Sequence, residues 1–274
     1  MGLGAQSANT TSESDILGSR PVRSAEAIPR LTSLGNPAMP RTLPRRVEPE
    51  WLDQLPAGDP DAIRSRRDLQ RLNRLMGHVD SMARLLRRGG LGLDIQRLVD
   101  LGAGDGTLLL SIARRLARSC GHVRAILVDR QELVSAATRE AFRKLDWEIE
   151  IVAADVLDWL AAARPGERTM MVANLFLHHF AEAPLRALLG RVAESCETFA
   201  ACEPHRSRFV LAACRWMGWI GCNSVTRHDG AISVRAGFTA REISDHWPKS
   251  EAWRLDESPA GLFSHLFMAR WRGG

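Results

Sequence analysis

The stretch Leu98-Val-Asp-Leu-Gly-Ala-Gly-Asp-Gly-Thr107 constrains the fold more than any other part of the chain. A short apolar run carries an acid near its end, alternate glycines follow, and an amphipathic segment runs from Leu108 to Ala117. Glycines so spaced let a backbone turn tightly and approach a ligand with no side chain in the way. A helix starting there points its free N–H groups at whatever occupies the turn. A dinucleotide fingerprint would need a further glycine at position 107, where Thr107 stands, and no Gly-Lys-Ser/Thr follows to make a phosphate loop.

Beyond this loop, apolar runs alternate with helical patterns. The runs are Leu98 to Leu101, Ala125 to Val128, Ile149 to Ala153, Met170 to Ala173, Thr198 to Ala201 and Leu262 to Ala269. Buried strands alternating with helices imply an α/β fold, a parallel sheet with helices on both faces. Acids stand at three successive strand tips: Asp100, Asp129 and Asp155. One such acid is ordinarily a helix cap. Three in register point to a ligand, with Asp129 placed to accept from ribose hydroxyls.

Upstream, residues 1–46 are rich in Ser, Thr, Pro and Gly, with little apolar periodicity, and read as a disordered tail. Residues 47–92 read as a helical cap. Asp59-Pro60 starts a helix, Gly77 divides the apolar stripe that includes Ile63, Leu69 and Leu75, and Gly89-Gly90 ends it. Residues 93–274 form the main domain, with an insertion at about 205–236. The section from Ser207 to Trp247 is Trp-rich, reads as loop-rich, and is expected to cap one edge of the sheet.

The net charge of +5 raises the question of nucleic acid. The arginines are scattered over segments that also carry apolar stripes, so they read as solvated helix faces, and no nucleic-acid partner is expected. The five cysteines form no CxxC pair and no zinc spacing, so no metal is expected. Their odd number, without a secretion signal, fits a reducing cytoplasm. No apolar run is long enough for a membrane span.

The spacing D-x-G-x-G-x-G from Asp100 to Gly106 resembles motif I of the class I S-adenosylmethionine (SAM) dependent methyltransferases. Asn174-Leu-Phe-Leu-His178-His179 resembles the Asn/Asp-x-x-Leu-His-His segment of small-molecule methyltransferases, including the ubiquinone/menaquinone-biosynthesis group. The likeness spans Arg97 to Pro204, with an echo at Ala236-Gly-Phe-Thr-Ala-Arg-Glu-Ile. It implies a Rossmann-like sheet with an antiparallel last strand, and SAM as cofactor. On that resemblance Asp100 faces the amino group of SAM, and Gly102, Ala103, Gly104 and Gly106 wrap its methionine part. Asp129 meets the ribose, Asp155 the adenine amino group, and Arg130 and Val156 flank the adenine. Asn174 completes the cofactor set.

The catalytic candidates are four. His178 and His179 follow the fourth strand, Glu203 ends the fifth, and His228 precedes Asp229. An imidazole near neutrality can take a proton from a hydroxyl or an acidic carbon as the methyl arrives. The acceptor is expected to be a small molecule, with aromatic, quinone-like and lipidic compounds as candidates. Trp216, Trp219 and Ile220 are expected to wall its site, with Asn223, Thr226, Arg227, His228 and Asp229 as polar groups. Arg67, Arg71, Asn73 and Arg74 are expected over the cofactor. The alternative is an RNA or protein methyltransferase. The absence of Asn/Asp-Pro-Pro-aromatic after the fourth strand and of a Lys-Asp-Lys-Glu set weighs against the base-, glutamine- and ribose-directed branches.

Overall fold

The computed structural model describes residues 43–92, 95–162 and 168–273. The expected tail therefore lies outside the described residues, apart from its last four. Those four are tied to the body. Arg45 donates from Nε to the Ala236 carbonyl at 2.8 Å and from Nη2 to the Phe180 carbonyl at 2.9 Å. Its guanidinium lies 4.6 Å from the centre of the Phe238 ring.

Three helices follow: α1 (Trp51–Gln54), α2 (Pro60–Leu75) and α3 (His78–Arg88). The Asp59 carboxylate accepts from Asp61 N and Ala62 N and so caps α2, whose first turn carries Pro60. Gly77, with φ of 71°, separates α2 from α3. The apolar stripe of α2 does not face the core as expected: Leu75 is 74% exposed and Ile63 is 38% exposed. Its buried face is Ala62, Ser65 and Asp68. These small and polar groups are satisfied by hydrogen bonds to a later helix.

From there strands and helices alternate: β1 (Arg97–Leu101), α4 (Thr107–Leu116), β2 (Val123–Asp129), α5 (Ala136–Arg143), β3 (Trp147–Ala153), α6 (Val156–Ala162), β4 (Thr169–Asn174), α7 (Glu182–Ser195) and β5 (Thr198–Pro204). The chain closes with α8 (Arg208–Cys214), α9 (Ser224–Ala236), α10 (Glu242–His246), β6 (Trp253–Ala260) and β7 (Ser264–Trp271). The section read as loop-rich is thus largely helical. β6 was not among the expected runs. It is an edge strand whose burial alternates, and it carries Arg254, Asp256, Glu257 and Pro259, which only an edge accommodates easily.

The seven strands form one sheet in the order β3-β2-β1-β4-β5-β7-β6. β1 to β5 are parallel, and β7 runs antiparallel between β5 and β6. Alternate strand residues fill two cores. Leu98 packs with Met82 and Leu86 of α3 and Leu109 and Ile112 of α4. Its neighbour Val99 points to the other face, with Leu185 and Leu189 of α7 and Trp247. In such a sheet a ligand crevice opens at the carboxyl ends of the strands where the winding reverses, here between β1 and β4.

Candidate active site

The crevice at these strand ends is a cavity of about 400 Å³, within the range usual for small-molecule sites. Its lining contains Asp100, Gly102, Ala103, Gly104, Asp129, Arg130, Asp155, Val156 and Asn174, nine of the ten residues expected to meet the cofactor. Gly106 is the exception. It has φ of 71°, and its α-carbon faces Leu127, where a Cβ would come within 2.9 Å of the leucine side chain. Gly106 therefore serves the close packing of helix on strand. By contrast, a Cβ on Gly104 would meet nothing within 4 Å, so the loop presents open backbone to the cavity.

The acids also hold the loop. Asp129 accepts from Gly104 N and Gln131 N, both at 2.9 Å. Asp155 caps α6 by accepting from Leu157 N at 2.8 Å while lining the cavity. Asp105, which sequence reasoning passed over, caps α4 through Thr107 N at 3.0 Å and receives Gln70 Nε2 of α2 at 2.7 Å. Asp100 is buried. That burial, with Asp129 nearby, pushes its carboxyl up to about 7. A cation placed against it would remove this cost.

Two histidines follow β4 in a short 3-10 turn, Leu177–His179, and their surroundings differ. His178 is buried between two carboxylates: Nδ1 lies 2.8 Å from Glu203 Oε2 and Nε2 lies 3.2 Å from Glu50 Oε1. Burial alone would lower its pKa, but the two partners outweigh it and raise it to about 9. Glu50, whose carboxylate also receives the Ser233 hydroxyl, falls to about 2 because His178 outweighs its burial. Both ring nitrogens of His178 are thus engaged and the ring is charged, so it is not free to take a proton. Glu203 is also corrected as a base. It is fully buried, outside the cavity lining, and accepts from the backbone N–H groups of Phe176, Leu177 and His178 at 3.0, 2.9 and 3.3 Å. It fixes the turn.

His179 lines the cavity, with Nδ1 3.3 Å from Asp53 Oδ2. Burial and the adjacent His178 lower its pKa below that of a free imidazole. Glu50, Asp53 and Ser233 were not identified from sequence. Acids in and before the first turn of a helix are ordinarily dipole partners, so nothing local marked Glu50 or Asp53. Their placement depends on α9. Asp229 accepts from Trp51 N and Leu52 N, both at 2.9 Å, and caps α1 from a distant helix.

His228 is corrected as a catalytic candidate. It stacks on Trp51 with ring centres 3.6 Å apart and faces a second basin. Trp216, Trp219 and Ile220 do not wall the cavity; they are exposed. Asn223, Thr226 and Asp229 are spent on helix contacts: Asp68 of α2 accepts from Asn223 N at 2.8 Å and from the Thr226 hydroxyl at 3.2 Å. Of α9, Ser233 alone reaches the cavity. Helix α2 does cover it, through Arg66, Leu69, Gln70 and Asn73, but Arg67, Arg71 and Arg74 face elsewhere.

Among the described residues, Glu50, His178 and His179 bring possible metal-ligand atoms within 4.8 Å of one another. The hydrogen bonds of His178 already account for that convergence.

Residues 98–198 match the family model described as a methyltransferase domain. No curated protein matches the sequence. Among solved structures, an O-methyltransferase family protein from Burkholderia thailandensis is similar, with a TM-score of 0.52 and 17% identity over 78% of this chain and 60% of that one. Mitomycin 7-O-methyltransferase gives 0.52 and 16% over 80% and 60%. The plantazolicin methyltransferase, solved with a triazolic desmethylPZN analog and SAH, gives 0.53 and 9% over 80% and 92%. The chain spans 60% of the length of the first two. Its sheet and helices are those of the class I methyltransferase fold. The family match is confined to residues 98–198, and the likeness to these solved structures is one of fold. No helix among the described residues is long and apolar enough to cross a membrane.

Proposed function

We propose that this chain transfers the methyl group of SAM to a hydroxyl of a small-molecule acceptor, with His179 as the base. The reading rests chiefly on one arrangement: a cavity with three strand-tip carboxylates and open glycine backbone on one side and the His179–Asp53 pair on the other.

The residues fit the cofactor. Asp100, costly to ionise alone, suits an ammonium group. The open backbone at Gly104 suits a closely held chain, and Asp129 and Asp155 suit hydroxyl and amino donors. When bound, SAM supplies a methyl group already activated by the sulfonium charge. The protein then has to align the acceptor, exclude water and receive a proton. Asp53 engages Nδ1 of His179, which leaves Nε2 to take the acceptor's proton. Phe176 and Phe180, in edge contact at 5.1 Å, give the acceptor side apolar surface. The narrower likeness to the ubiquinone/menaquinone group is carried by Asn174 to His179 and by the segment from Ala236 onward.

Calorimetric titration with SAM tests the cofactor. Micromolar binding that is lost in Asp100→Ala supports it. No binding, or a preference for a dinucleotide, overturns the reading of the glycine loop and of His179 with it.

A further inference from the structure

The face carrying α8, the turn after it and the outside of α9 has no role in the cavity, and its composition is unusual. Phe209, Trp216, Trp219 and Ile220 are 59%, 62%, 85% and 50% exposed. The Phe209 ring lies 6.3 Å from Phe263, the chain neighbour of Leu262, which is also exposed. Single exposed apolar residues are ordinary, but Trp216 and Trp219, with ring centres 5.7 Å apart and Ile220 next to them in the chain, mark an interaction surface.

Beside the patch lies a basin of about 740 Å³ lined by Arg208, Arg215, Arg227 and Arg235, with Trp51 and His228. All four arginines are exposed, and none has an ion-pair partner among the described residues. The only acid between residues 207 and 236 is Asp229, which is buried and occupied with α1. Among the described residues, four guanidinium groups without an ion pair thus stand near exposed tryptophan, phenylalanine and isoleucine.

We infer that this face docks the protein on the surface of an anionic lipid bilayer, with Trp216, Trp219, Phe209 and Ile220 entering the interface and the arginine basin receiving lipid phosphate. Trp and Arg together are the side chains suited to that boundary: an amphipathic ring at headgroup depth and a fork for phosphate. A second copy of the chain is a poorer occupant, because two-fold pairing of this face would set arginine against arginine. Single-stranded nucleic acid would use the arginines and rings, but it leaves Ile220 and Leu262 without a purpose. Attachment would be peripheral, and it is independent of how the strand-tip cavity is read.

The test is flotation of the full chain with phosphatidylglycerol–phosphatidylcholine vesicles and with phosphatidylcholine vesicles alone. Binding to the anionic vesicles only, weakened by salt, with a blue shift of tryptophan emission, is expected. The chain has eight tryptophans, so the shift is assigned by its loss in Trp216→Ser/Trp219→Ser. Arg215→Gln and Arg227→Gln should each weaken partitioning about fivefold. All of these variants should keep the wild-type melting temperature, since the side chains are exposed. Equal binding to neutral vesicles, or no binding to either, overturns the inference. So does a dimer in sedimentation that Trp219→Ser dissociates, or displacement from anionic vesicles by a short RNA.

Discussion

The two walls of the strand-tip cavity differ in how far apart their parts lie in the chain. On one side the loop from Asp100 to Thr107 and the next two strand tips supply open backbone and carboxylates in sequence order. On the other, Glu50 meets His178 across 128 positions and Ser233 across 183. The first wall is a property of short segments held by the sheet. The second exists only when α1, the turn after β4 and α9 are docked together. Ligand contacts on the first should thus be changed one at a time, whereas on the second a side chain can serve chemistry, docking, or both.

The sharpest way to break this comparison is to separate the two histidines. His179→Ala should lower the methyl-transfer rate by about 10²- to 10⁴-fold, the usual range for loss of a general base, while SAM affinity in calorimetry stays at the wild-type value. An unchanged rate would return the base to another residue.

His178→Ala should instead act on stability. It leaves two buried carboxylates facing each other, and loss of one partner from such a buried set costs about 3–5 kcal/mol in denaturant unfolding. The pH dependence carries the same signature. The folded pKa of His178 is about 9 against 6.5 for the free residue. Its contribution is therefore fully present below about pH 6.5 and is lost as pH rises through 9. A variant as stable as wild type would mean that the cap docks without this ring.

The glycine-loop wall should show its own titration. With Asp100 at about 7 in the free protein, the ionised form that faces a cation becomes scarcer as the pH falls. SAM affinity should drop about tenfold per pH unit below about 7 and level off above it, measured by calorimetry across buffers. The smallest effect is expected for Asp229→Ala, which uncaps α1 from outside the cavity and should cost about 1 kcal/mol in unfolding. A loss of activity larger than the loss of stability would show that α1 positions Asp53 for the chemistry.

The same contrast explains what could be read from the sequence. The strands β1 to β5, the three acids and the loop were legible because each is written in a run of ten residues or fewer, with strand, turn and helix signals in direct succession. The pair His178-His179 was visible, but the different surroundings of the two rings were not. Those surroundings depend on Glu203, held under the turn by three backbone N–H groups, and on Glu50, the residue before a helix that periodicity does not connect to the site. The stripe on α2 misled for a related reason. Its buried contacts are hydrogen bonds, Ser65 to Thr226 at 2.8 Å and Asp68 to Asn223, and hydrophobic spacing carries no trace of them. The tryptophans of 216–219 misled in turn, because apolar character alone does not say which way a side chain faces.

Gly102 joins the two walls. Its backbone is left-handed, with φ of 72°, and the space where a side chain would stand is filled by the Phe176 ring. That ring lies 6.4 Å from His179 and leads directly into the turn that carries it. The curvature of the loop and the seating depth of the histidines are thereby gauged from one α-carbon. Any replacement there would displace the Phe176 ring and with it the turn that carries His179, so the two walls share a single point of calibration although hardly any sequence connects them.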